Sequence, residues 1–248
     1  MSEPPKISRP ELPKRFYTDV AVAPGEGGGF TVLLDGRTLR TPLRRHLIVP
    51  NQRLADILAV EWAAQGEKID PSTMPLTRLA STVIDGVADG TAAVRADLAG
   101  YVETDMLYYR AGYPDRLVER QRALWDPVLA FAETRLGVRF QLAEGVMHVA
   151  QAPSAIAAFR AWIDSVEHPF AVAALHQMTT LTGSALLPFA LAEGHLDLDA
   201  TWAAAHLDED WNIELWGTDA EAEARRASRF ADMRTAAEVL AALKDEAA

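Results

Sequence analysis

Residues 208–217 read DEDWNIELWG: three adjacent acids and then a fourth, set among two tryptophans and two aliphatics. Carboxylates in apolar company do one of two kinds of work. They move protons in acid–base chemistry, or they stand as a charge beside aromatic anchors in a recognition face. A helix advances 100° per residue, so its faces follow from the spacing. With Asp199 as N-cap, Ala200, Ala204, Leu207, Trp211 and Leu215 fall within about 80° of arc and form a core stripe. Trp202, Ala205, Ile213 and Trp216 lie roughly opposite, with Glu209 among them and His206 one turn earlier. Two readings of Glu209 stand open. It is an internal ion pair with a base on another helix, as buried carboxylates are usually paired. Otherwise the second face is partly open and receives a partner.

Other reactive patterns fail on context. GEGGGF at 25–30 runs into the strand-like FTVLLD, whereas a phosphate loop must present its N–H groups at a helix N-terminus. TGSAL around Ser184 lacks the Gly-x-Ser-x-Gly elbow of a nucleophilic serine and reads as core packing. The six histidines never take the paired helical spacing of a metal site. HLDLD at 195–199 lacks the glycine and distal glutamate of a calcium loop, so its acids read as helix caps, Asp199 foremost. With 35 acids, carboxylate pairs occur everywhere and single out nothing. No catalytic residue, metal set or cofactor is expected.

The 248 residues are 49% hydrophobic and 24% charged, enough for a sizeable core in one large domain or two modest ones. A net charge of −11 repels phosphate backbones and anionic lipid, so neither nucleic acid nor membrane surface is an expected partner. The chain has no cysteine, which suits a reducing cytoplasm. MSEPPKISRPELPKR has no apolar signal core and reads as a flexible tail, assigned to residues 1–14. The apolar stretch 169–194 is interrupted by polar residues too often to span a bilayer, and reads as a buried helix kinked at Pro188.

From Arg15 to Pro50 short β-rich runs alternate with turn signals, Asp35-Gly36 being a strong hairpin turn. A helix then opens at Asn51, carries Leu54, Ile57, Leu58 and Trp62 on one side together with Glu61, and stops at Gly66. Pro75 opens the next, with Arg78 off its apolar stripe. Further helices are predicted at about 91–109, 115–136, 153–165, 169–192, 199–216 and 219–243, and 138–150 reads as extended. The fold class is α+β: a small β-rich N-terminal domain over 15–71, ending in a helix, followed by a larger all-helical domain over 72–248.

KRFYTDVAV at 14–22, TVLLDGRTLRTP at 31–42, EWAAQGEKIDPSTMPLTRLASTVIDG at 61–86 and LDEDWNIELWG at 207–217 together resemble the F1 ATP synthase assembly chaperones that handle the α subunit. The likeness runs from Lys14 to Gly217 and is most specific from Glu61 to Gly86. It implies a β-rich domain followed by a helical one, and a non-catalytic protein that shields the free α subunit from aggregation until the β subunit replaces it. The matched motifs imply functional roles for Trp62, Arg78, Asp208, Glu209 and Asp210. Trp202 and Trp216 join them as partner contacts through the second face of their helix. Trp62 also lies on an apolar stripe, where an aromatic residue is ordinarily core. The alternatives are an enzyme acting on a small molecule in an interdomain cleft, and a structural subunit of a stable complex.

Overall fold

The computed structural model describes residues 11–247. The chain divides after Arg78 into two compact units. The first holds a four-stranded antiparallel sheet of β1 (Val20–Pro24), β2 (Phe30–Leu34), β3 (Arg37–Thr38) and β4 (Ile48–Val49). β2 is central, with β1 on one edge and both β3 and β4 on the other. The β2–β3 turn has Asp35 and Gly36 both at positive φ, +48° and +77°, as the tight hairpin signal requires. The Asp35 carboxylate also accepts from the N–H groups of Thr18 and Asp19, which holds its pKa below the usual value. Of the expected tail, residues 1–10 lie outside the described residues. The segment from Pro13 is paired: Ile69 N–H donates to the Pro13 carbonyl at 2.8 Å, and Arg15 N–H to the Glu67 carbonyl at 2.9 Å.

Helix α1 (Gln52–Ala63) packs on β1 and β2, capped by Asn51, whose side chain accepts from Leu54 N–H at 3.0 Å. Its buried stripe is Leu54, Ala55, Leu58 and Trp62. Glu61 shares that side for a specific reason. Its carboxylate accepts from Leu76 N–H (2.6 Å), Thr77 N–H (2.8 Å) and Thr77 Oγ1 (2.7 Å). A residue of α1 thus caps the start of α2 (Pro75–Thr82), where Pro75 has no N–H to satisfy. Burial raises the Glu61 pKa, against the pull of these donors and of the Arg78 charge.

The second unit is helical: α3 (Ala88–Tyr101), α4 (Asp115–Leu136), α5 (Pro153–Asp164), α6 (Pro169–Thr182), α7 (Leu186–Ala192), α8 (Leu198–Ala205), α9 (Leu207–Trp216) and α10 (Ala220–Ala247). Its only strands among the described residues, β5 (Tyr109–Arg110) and β6 (Ala143–Glu144), pair in parallel. So 138–150 is extended over two residues rather than throughout. A π-helical turn, Val83–Val87, joins α2 to α3. Central α6 is buried along nearly its whole length and packs on α3, α7 and α10. The break predicted at Pro188 falls earlier. Gly183, at φ +69°, ends α6, and Pro188 sits in the first turn of α7, where its missing N–H is not needed.

Asp105 holds that break. It is fully buried, and accepts from Ser184 Oγ (2.9 Å), Ala185 N–H (2.8 Å), Leu186 N–H (3.0 Å) and Leu107 N–H (3.1 Å). Ser184 is thereby structural, its hydroxyl also accepting from Leu187 N–H. The same turn ends the helix predicted to run to 109, since α3 stops at Tyr101. Burial outweighs the four donors and pushes the Asp105 pKa up to about 6. The folded state therefore holds this proton more tightly than the unfolded chain. Its contribution to stability is complete below about pH 4 and is lost as pH rises through 6, on the order of 3 kcal/mol. The destabilisation caused by Asp105→Asn should accordingly shrink between pH 4 and pH 7 in paired urea titrations. A penalty that is constant or grows over that range contradicts the assignment.

Candidate functional site

The helix predicted over 199–216 is two helices. Asp197, not Asp199, caps α8, accepting from Ala200 N–H at 2.7 Å. The chain breaks at His206, with φ −109° and ψ 17°. The His206 ring lies against Trp202, with centroids 3.7 Å apart, and its Nδ1 lies 3.0 Å from the Trp202 carbonyl. Trp202 is buried and also meets Phe230 of α10 edge-on at 5.1 Å. It therefore does not share an open face with Glu209, because the break at His206 destroys the helical register that placed the two together.

α9 is bound on one side to α4. Asp208 accepts from Gln121 Nε2 at 2.9 Å, and Gln121 Oε1 accepts from Ala111 N–H at 2.8 Å. Arg116 and Arg120 lie over the Trp211 ring, at 5.8 and 5.3 Å from its centroid. Glu214 pairs with Arg120 at 2.7 Å and meets Arg116 at 4.0 Å, and the Arg120 hydrogen bond lowers the Glu214 pKa. Asp210 pairs with Arg226 of α10 at 2.5 Å. Three of the four acids are thus occupied in holding α9 in place.

The fourth is Glu209. It is exposed, and its one ion-pair contact among the described residues is with His206 Nε2 at 4.0 Å. Burial lowers the His206 pKa, so that ring tends to neutrality and offers Glu209 little charge. The internal ion pair is therefore ruled out by exposure. Ile213 follows one turn on, half-buried, and Trp216 ends the helix 84% exposed. Leu215, expected in the core stripe, is exposed beside it. Glu209, Ile213 and Trp216 form an outward face with a charge at one end and an indole at the other. Sequence reasoning missed Arg116, Arg120, Gln121 and Arg226, which fix that face. The spacing of Arg116 and Arg120, one turn apart on a helix as Trp211 and Glu214 are on theirs, was the available signal.

The other predicted residues belong to the first unit. Trp62 is buried, its ring edge-on to Tyr17 at 5.6 Å, and its carbonyl accepts from Tyr17 Oη at 2.7 Å. Its indole N–H is buried without a hydrogen-bond partner among the described residues. Arg78 is exposed on α2, just past the turn that Glu61 caps. Gln65 completes that region, accepting from Asp70 N–H at 2.7 Å and donating to Thr73 Oγ1 at 3.1 Å. The stretch most specific to the resemblance is thus a hydrogen-bonded clamp with one arginine on its surface.

Among the described residues no three His, Asp or Glu side chains stand close enough to hold a metal ion, and no helix is long and apolar enough to cross a membrane. The fold is α+β, a small strand-containing unit followed by a mostly helical one. A family model described as ATP12 chaperone protein matches residues 14–133, a span that ends before α9. The crystal structure of Atp12 from Paracoccus denitrificans is 42% identical, with a TM-score of 0.82 over 92% of this chain and 97% of that one. A crystal structure from Agrobacterium tumefaciens, assigned there as a candidate chaperone, is 55% identical, with a TM-score of 0.88 over 94% of this chain and 87% of that one. The mitochondrial atp12 protein of Schizosaccharomyces pombe is 24% identical over 217 residues, 83% of this chain and 74% of its own length. The chain belongs to the ATP12 chaperone family.

The Trp62 environment carries a stability test. Trp62→Ala should cost about 3–5 kcal/mol through the cavity it leaves. Trp62→Phe should cost under about 1.5 kcal/mol, because no indole hydrogen bond is lost. Arg78→Ala, at an exposed site, should cost about 1 kcal/mol or less. Urea unfolding measures all three, and a Phe variant as unstable as the Ala variant contradicts the unbonded indole.

Proposed function

We propose that this chain is an assembly chaperone of the F1 sector of ATP synthase that binds the unassembled α subunit and shields it from aggregation until the β subunit replaces the chaperone. Membership of the ATP12 family supports the chaperone role. The observation that carries the binding site is the outward face of α9, where Trp216 stands in solvent on a helix fixed from its other side by α4. A large rigid aromatic on the same face as a weakly compensated carboxylate has the chemistry of an interface anchor. Glu209 and Trp216 are the proposed contacts, with exposed Arg78 as a further one. Asp208 and Asp210 act by positioning α9.

No nucleotide is needed for such a role. The chaperone must bind the client more tightly than the client binds itself, and more weakly than the assembled interface that succeeds it. The compartment proposed is the cytoplasm, in keeping with an acidic chain free of cysteine. The yeast relatives are named as mitochondrial.

Light scattering of purified, unassembled α subunit should fall on adding the protein at near-equal molar ratio without ATP. Glu209→Lys should melt within about 2 °C of the native protein, since the site is exposed. It should lose client protection, because a reversed charge facing its former complement at an interface costs several kcal/mol. Scattering unchanged by excess native protein, or reduced only with ATP, contradicts the proposed function. A Glu209→Lys protein that is stable and fully protective contradicts the site.

A further inference from the structure

Glu209, Ile213 and Trp216 are three residues, whereas a stable protein interface engages about 20–30 on each side. The face must continue, and the second unit shows where. Tyr113 is 84% exposed, Val146 94% and Met147 77%, exposures matched among its large apolar side chains only by Trp216. The segments that carry them are tied together. β5 pairs with β6, Gly145 N–H donates to the Arg110 carbonyl at 2.9 Å, and the Glu144 side chain lies against Gly112 so closely that a Cβ there would clash. Gln121 then couples this pair to α9, accepting from Ala111 N–H on one side and donating to Asp208 on the other. Arg116, one turn past Tyr113, reaches Glu214. A cleft of about 260 Å³, lined by Arg110, Gln121, Arg122, Asp126, Leu142 and Glu144, opens within this region, its walls mixed in charge with Arg110 paired to Asp126 at 2.8 Å.

We propose that α9, this cleft and the β5–β6 segments with Tyr113, Val146 and Met147 form one docking surface for an apolar client segment flanked by lysine or arginine, an inference that rests on the client-binding role above. Charge selects that occupant. Residues 79–248 hold 26 acids against 13 lysines and arginines, and although Arg120 and Arg226 offset Glu214 and Asp210 in α9 and Arg225 offsets Glu221, Glu209, Asp219 and Glu223 leave this end of the unit acidic. A second copy of the chain would bring two such acidic surfaces together, and an anionic lipid surface would be repelled in the same way. Lysine or arginine beside an apolar anchor meets complementary charge at the rim, and unbranched Met147 adapts to an irregular partner. The cleft gives one anchoring side chain a place to enter.

The test uses the full chain and purified α subunit. The double variant Val146→Asp, Met147→Asp should keep its melting temperature, since both sites are exposed, and bind the α subunit at least tenfold more weakly. Benzoylphenylalanine at position 147 should photo-crosslink to an α-subunit peptide that is apolar and carries lysine or arginine. Native-like affinity of the double variant, while Glu209→Lys has lost binding, overturns this inference and leaves the α9 site intact. Crosslinks that join two copies of the chain, or anionic phosphatidylserine vesicles that bind native protein and not the double variant, overturn it as well. Failure of the native protein to bind α subunit at all removes both the inference and the function on which it rests.

Discussion

The grip of α4 on α9 decides which side of α9 meets solvent. Trp211 lies under two guanidinium groups, Glu214 pairs with one of them, and Asp208 is held through Gln121 to the backbone of the segment before α4. Each contact alone is modest, because solvent screens exposed ion pairs and cation–π contacts. Together they occupy one side of a ten-residue helix at positions 208, 211 and 214, so Glu209, Ile213 and Trp216 have only the outward side left. An indole in water gains nothing for the fold, and its exposure is tolerated only because the helix is already fixed without it.

His206 is the second constraint. By ending α8 where it does, it lets Trp202 enter the core against Phe230 while α9 departs with a new register. The three tryptophans of this region therefore have separate roles. Trp202 is core, Trp211 is clamped under arginines, and Trp216 is presented to solvent. The four acids of α9 divide similarly, three positioning the helix and one facing outward. This separation allows the outward residues to be substituted without disturbing the contacts that hold the fold.

Much of the architecture was legible in the residues. Asn51, Asp35-Gly36 and Pro75 carry local signals strong enough to place α1, the β2–β3 turn and α2, and the apolar periodicities of α4, α5 and α10 match their helices closely. What misled was continuity. Residues 198–216 contain no glycine or proline, so an unbroken helical period ran through His206, where tertiary contacts impose a break. Pro188 looked like a kink, yet a first-turn proline costs a helix nothing, and Gly183 before it ends α6 instead. The two-residue strands β5 and β6 were invisible because their pairing links segments more than thirty residues apart and neither has a period of its own. Glu61 and Glu209 looked alike, each a carboxylate on an apolar face. Only the fold separates a half-buried helix cap from an exposed charge.

The central claim is that Trp216 is presented to solvent in order to be covered by the client. Hydroxyl-radical footprinting with and without saturating α subunit measures this at single residues. Trp216 should oxidise rapidly in the free protein and several times more slowly in the complex, while buried Trp125, 1% exposed, stays unreactive in both. Equal oxidation of Trp216 in the free and bound states, in a complex shown to be fully formed, would contradict the account.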